Sequence, residues 1–90
     1  MSSREKVTVL TLYTVLSKVF NKFYMEFTRD GNCSYVKVFT PVEEARFEEA
    51  VQVKVCGEEV EVRHREVDER VVNVVNTFKT LLNTALNLVK

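Results

Sequence analysis

The sequence predicts one α+β domain of two layers, an antiparallel sheet of about four strands in two hairpins packed against an N-terminal and a C-terminal helix. Three observations point there. Apolar residues recur at spacings of three and four towards both ends, the period falls to two in between, and the chain's two glycines sit where the period-two pattern doubles back. Ninety residues leave room for one such domain, here 1–90, with a modest core that a partner could complete.

From Ser3 to about Phe23, the residues Val9, Leu12, Tyr13, Leu16, Val19, Phe20 and Phe23 form one helical stripe. Phe23, Met25 and Phe27 then alternate, followed by Asp30-Gly31 as a two-residue loop and by Val36 and Val38 on the returning strand. That loop sets Met25 opposite Val36, Phe23 opposite Val38, Phe27 opposite Ser34 and Tyr24 opposite Lys37. Thr40-Pro41-Val42-Glu43 has the form of a helix start, with Thr40 as N-cap, Pro41 at the first helical position and Glu43 completing a capping box. A short helical connector up to Ala50 is therefore expected. Val51, Val53 and Val55 alternate next, and a turn at Gly57-Glu58 pairs Val55 with Val60, Val53 with Val62 and Lys54 with Glu61. Asp68 is placed to cap a final helix running to Lys90, whose stripe is Val71, Val74, Val75, Phe78, Leu81, Leu82, Ala85, Leu88 and Val89.

Composition narrows the function classes. Thirteen basic residues balance thirteen acidic ones, so no summed positive field draws in polyphosphate or an anionic membrane. No apolar run reaches a membrane span and no secretory signal opens the chain, which leads us to expect a cytoplasmic protein that does not engage a membrane. His64 is the single histidine, and Cys33 and Cys56 are the only thiols. Without a CxxC or HxxxH pair, neither a metal site nor any cofactor is expected. Cys33 and Cys56 both lie beside turns, where they could form a bridge or remain two small thiols. His64 falls on the strand face of Val60 and Val62, opposite Val51, as a partly buried structural histidine rather than a catalytic base. The carboxylates Glu43, Glu44, Glu48, Glu49, Glu58 and Glu59 read as solvated charge, and both glycines are spent on turns. No constellation supports an enzyme.

Two surfaces remain as candidates. Arg63-His64-Arg65 is the one basic patch, and Tyr35, Lys37, Arg63 and Arg65 could offer single-stranded nucleic acid a stacking platform on the outer sheet face, as in a small viral protein. A cross-strand charge ladder with Glu61, Glu66 and Asp68 explains the same residues. The other surface is the C-terminal helix, whose face of Asn73, Asn76, Thr77, Thr80, Asn83, Thr84 and Asn87 is polar but uncharged. Asparagine opposes helix propensity, so such a face suits contact with another protein as well as it suits solvent.

Asp68, then Val75-Asn76-Thr77-Phe78, Leu82, Ala85-Leu86-Asn87 and Val89, resemble the C-terminal helix of the small dimerisation subunit of the KEOPS complex, the Pcc-type family. The Val51 to Val67 hairpin and Val38-Phe39-Thr40-Pro41 with Glu43-Glu44-Ala45 are similar to the segments before it, so the likeness covers roughly residues 35–90. The resemblance implies a divergent, archaeal, noncatalytic subunit. It would form a homodimer or a heterodimer with a Pcc-type partner and dock on the catalytic KEOPS subunit. It would support tRNA threonylcarbamoyladenosine modification, meeting tRNA only indirectly. The partner-binding residues implied are Val71, Val75, Asn76, Phe78, Leu82 and Ala85.

Overall fold

The computed structural model describes residues 3–43, 46–65 and 68–88. In chain order these form α1 (Ser3–Val19), β1 (Tyr24–Asp30), β2 (Cys33–Glu43), β3 (Arg46–Cys56), β4 (Glu59–His64) and α2 (Glu69–Leu88). The sheet is an antiparallel meander in the order β1-β2-β3-β4, and the two helices cover one of its faces. The two-layer α+β architecture expected from the sequence is therefore present.

α1 is shorter than the apolar stripe suggests, ending at Val19 with one further backbone bond from Phe20 N–H to the Leu16 carbonyl, 2.8 Å. Its buried side is Glu5, Thr8, Leu12, Val15 and Leu16, continued by Phe20. α2 buries Val71, Val74, Val75, Phe78 and Leu82. The helices run antiparallel, with the Arg70 guanidinium at the start of α2 lying 4.9 Å from the centre of the Phe20 ring just beyond α1. Asp68 caps α2, its Oδ1 accepting the Arg70 backbone N–H at 2.9 Å.

Three cross-strand rows build the inner face of the sheet. They are Met25–Val38–Val51–His64, Phe27–Val36–Val53–Val62 and Arg29–Ser34–Val55–Val60. The first hairpin departs from expectation, since its loop is Gly31-Asn32 and Met25 faces Val38, Phe27 faces Val36, and Tyr24 faces Phe39. Gly31 has φ 62° and among the described residues no non-glycine residue has positive φ. A loop at Asp30-Gly31 needs positive φ at Asp30, whereas a turn of type II′ needs it only at its first central residue. The shift also gives Phe27 an apolar neighbour. The second hairpin has the expected pairing, Val55 with Val60, Val53 with Val62 and Lys54 with Glu61.

The expected helical connector is instead strand. β2 runs through Thr40 and Pro41 and pairs with β3, Pro41 facing Phe47 and Thr40 facing Glu48. A capping box offers about 1 kcal/mol of local hydrogen bonding, and a connector that short cannot offset its nucleation cost. Two strands of eleven residues offer a full ladder instead. Pro41 is accommodated because the register shifts beside it, between Pro41 and Glu43, and again between Val38 and Phe39. Thr40 is fully buried and accepts a hydrogen bond from Arg65 Nη2 at 3.3 Å, so it serves the core.

Cys33 and Cys56 face each other across β2 and β3 and are joined in a disulfide, with Cα atoms 4.2 Å apart. Each adjoins a glycine-led turn, so the bond fastens the two hairpin tips of the sheet.

Candidate protein–protein interface

α1 carries more apolar side chains than its packing against α2 and the sheet can use. The buried stripe is spent on the core, while Val9, Leu10 and Tyr13 fall beside it, facing the flank where β1 lies. β1 is an edge strand, exposed along its whole length apart from half-buried Met25. Two contacts tie α1 to β1 and to Phe23, the residue before it. Arg29 Nη1 lies 3.6 Å from Glu5 Oε2, and the Tyr13 and Phe23 rings meet at 5.6 Å between centres, tilted by 60°.

Between those ties α1 and β1 stand apart, leaving a groove of about 770 Å³ lined chiefly by Val9, Leu10, Tyr13, Phe23, Met25 and Phe27. Lys22 is the charged residue in its wall. Leu10 is 65% exposed and Tyr13 and Phe27 are each 54% exposed. Scattered exposed apolar residues are ordinary, but a contiguous set beside an unpaired strand marks a candidate interaction surface. Covering it would contribute roughly 1 kcal/mol or more per large side chain. The backbone along β1 adds directionality. A two-residue loop closes on a hydrogen-bonded pair, so Asp30, Thr28, Glu26 and Tyr24 turn their backbone groups towards β2. Met25, Phe27 and Arg29 turn theirs to the open side.

The residues expected at an interface on α2 divide in two. Val71, Val75, Phe78 and Leu82 are buried in this chain's own core, whereas Asn76 is exposed and Ala85 half-buried. Ala85 lines a shallower groove of about 340 Å³ with Leu10, Thr14, Leu81 and Leu88, along the seam between the helices. The four asparagines of α2, Asn73, Asn76, Asn83 and Asn87, all face solvent.

The expected nucleic-acid residues are also separated. Tyr35, Lys37 and Arg63 share the outer face, where Lys37, Gln52 and Arg63 form one row and Tyr35, Lys54 and Glu61 the next. The Lys54 ammonium lies 5.9 Å from the Tyr35 ring centre and Lys37 Nζ 4.0 Å from Glu49 Oε1. Arg65 turns away from this face. Its guanidinium donates to Glu48 Oε2 at 3.4 Å and to Thr40 Oγ1, and lies 3.8 Å from Asp68 Oδ2. Glu26, Asp30, Glu49, Glu59 and Glu61 offset the three cations left on the outer face, Lys37, Lys54 and Arg63, so phosphate gains no net attraction there. Tyr24 stacks on Phe39 at 4.8 Å and meets Phe47 at 5.3 Å, which occupies the aromatic faces at that end.

Asp68 joins the Arg65 cluster to the helix start. Burial pushes its carboxyl up, but hydrogen bonds from the Arg70 backbone and guanidinium, that guanidinium's charge and the Val71 N–H outweigh it. The net effect holds Asp68 below the ordinary aspartate value. His64 faces Val51, with Nδ1 3.2 Å from the Arg65 carbonyl oxygen. Among the described residues no group of three or more His, Cys, Asp or Glu side chains is arranged to hold a metal ion. Among the described residues no helix is long and apolar enough to cross a membrane.

Periodicity places Tyr13 in the core stripe and Phe27 on a covered sheet face, so the groove is not legible from spacing alone. The available signal was the width of the apolar arc on α1. Val9, Leu10, Leu12, Tyr13, Val15 and Leu16 span more of the helix than one packing contact covers. Comparison of this chain with protein-family models, with curated proteins and with solved structures finds no match.

Proposed function

We propose that this chain is a noncatalytic assembly subunit whose working surface is the groove between α1 and β1. The observation that carries this reading is the coincidence of a contiguous exposed apolar surface with an unpaired edge strand. Together they offer a partner both hydrophobic burial and a row of backbone hydrogen bonds. The class of assembly we propose is a cytoplasmic KEOPS-like complex acting on tRNA, with the tRNA contacted by other subunits. Support for that finer reading is the capped start of α2 at Asp68, the exposed Asn76 and the β3–β4 hairpin. It does not extend to Pro41–Glu43 and Arg46–Ala50, which belong to β2 and β3 where a helix was expected; Glu44 and Ala45 lie outside the described residues. A disulfide in a cytoplasmic protein restricts the proposal to cells in which intracellular disulfides persist, as in hyperthermophiles.

Light scattering on the chain, alone and mixed with a KEOPS catalytic subunit and its small dimerisation subunit, tests both levels. A dimer or a mixed complex that Phe27→Lys weakens supports the groove as the assembly surface. A mixed complex with the KEOPS proteins that Asn76→Lys disrupts supports the finer reading. A monomer indifferent to every addition overturns both, and salt-sensitive binding of single-stranded RNA would then bring the outer face forward.

A further inference from the structure

We infer that the groove between α1 and β1 binds a linear alkyl carboxylate, with its tail along the aromatic lining and its head at Lys22. The inference goes beyond the assembly reading and does not rest on it. The chain has six phenylalanines and three tyrosines, and five of these nine rings, Tyr13, Phe23, Tyr24, Phe27 and Phe47, line this one groove. Its volume of about 770 Å³ falls among small-molecule sites, which run to roughly 300–1,000 Å³ and are mostly apolar with a few polar groups fixing orientation. The setting of the rings selects a flexible tail over a flat one. Tyr13 and Phe23 are tilted by 60°, Tyr24 and Phe47 by 49°, and one face of Tyr24 is taken by Phe39. Neither ring pair of the groove stands parallel to receive a planar ligand by stacking, whereas an alkyl chain follows a tilted wall.

Charge fixes the head group. Among the described residues no acidic side chain lines the groove, and Lys22 makes no ion pair with any of them. Lys22 and Asn21 sit together in the loop between α1 and β1, so a cation and an amide donor share one end of the groove. At the other end Arg29 is already engaged by Glu5 at 3.6 Å. A single cation matches the one negative charge of a carboxylate better than a phosphate monoester, which carries nearly two. The Lys22 stem lies along apolar surface while its ammonium stays in water. A bound tail covers Phe27, 54% exposed in the free chain, so the ligand and a partner protein exclude each other at this groove. The seam groove of about 340 Å³ is a poorer site, because among the described residues no charged side chain lines it to hold a head group.

The test is titration calorimetry of the full chain with octanoate, decanoate and dodecanoate, each below its micelle concentration. Every added methylene should tighten binding about fourfold, as for transfer of that group from water to an apolar lining. Lys22→Gln should weaken decanoate about two- to fivefold, the range of an exposed ion pair, and leave decanol unchanged. Phe27→Ser should weaken both about tenfold with its circular dichroism unchanged, while Leu88→Gln, on the helix seam, should alter neither. Should Phe27→Ser fail to fold, the methylene series and the Lys22→Gln comparison decide. Absence of saturable binding by all three acids overturns the inference. So does an affinity indifferent to tail length, a Lys22→Gln loss that decanol shares, or a loss at Leu88→Gln in place of Phe27→Ser. A chain that assembles through the groove yet binds no decanoate overturns this inference alone. A monomer that binds decanoate and no protein overturns the assembly reading alone.

Discussion

Single residues act as polar devices that hold the helical layer in register with the sheet, and Asp68 and Arg65 are two of them. Asp68 caps α2 by accepting the Arg70 N–H, and Asp68→Ala should cost about 1 kcal/mol in urea unfolding, while Asp68→Asn, which keeps an acceptor, should lose less. The pH dependence follows from its depressed folded-state pKa. Its contribution is fully present above the ordinary aspartate value and is lost as pH falls through the lower, folded-state value. Unfolding measured from neutral pH down to about pH 3 should therefore show an acid loss of stability that Asp68→Asn reduces. Arg65 is the second device. It bridges Glu48, Thr40 and Asp68, so Arg65→Met should cost about 1–3 kcal/mol by taking the donor from a fully buried hydroxyl and one of the cations from two carboxylates, which keep Arg46 and Arg70. Arg65→Lys should restore only part of this loss, because an ammonium cannot match a guanidinium that spans three acceptors.

Among the elements, the sheet is held by pairing and by one covalent bond. The Cys33–Cys56 bridge closes a loop of 23 residues in sequence separation, for which restriction of the unfolded chain gives about 3 kcal/mol. The double variant Cys33→Ser with Cys56→Ser should lower unfolding stability by roughly that amount. The strands should nevertheless persist in circular dichroism, since the bridge lies on the outer face and the valines of the core are on the other. At this scale the sequence was legible where both faces made chemical demands, as in β3 and β4, whose valines alternate with polar and charged residues that pair across the strands. It misled at residues 40–50, where a local capping signature competed with a ladder visible only once β2 and β3 come together. The Gly31 turn was displaced by one residue for a related reason, because two loops with one glycine differ only in which neighbour must take positive φ.

On the scale of the whole molecule, the helical layer is too narrow for the sheet. α2 lies over β3 and β4 and α1 docks beside it, so β1 and the near flank of α1 remain uncovered. A side chain there should matter for association and little for folding. Leu10→Gln is the cleanest case. Because Leu10 is 65% exposed, its urea unfolding should shift by less than about 0.5 kcal/mol, while light scattering should show weakened association. The core valines and Phe78 should behave in the opposite way.

By itself the sequence determined the fold class, the second hairpin and its register, the capped start of α2 and the sidedness of the alternating valine runs, because all are set by periodicity and by neighbours a few residues apart. The tertiary structure decided which apolar residues are surplus. Val71, Val75, Phe78 and Leu82 look available for a partner when α2 is read alone, and they are consumed by α1 and the sheet. Tyr13 and Phe27 look like core, and they stand exposed at an open groove. Amphipathic periodicity states that a face must be covered; only the packing of all six elements settles whether this chain covers it or leaves it to another.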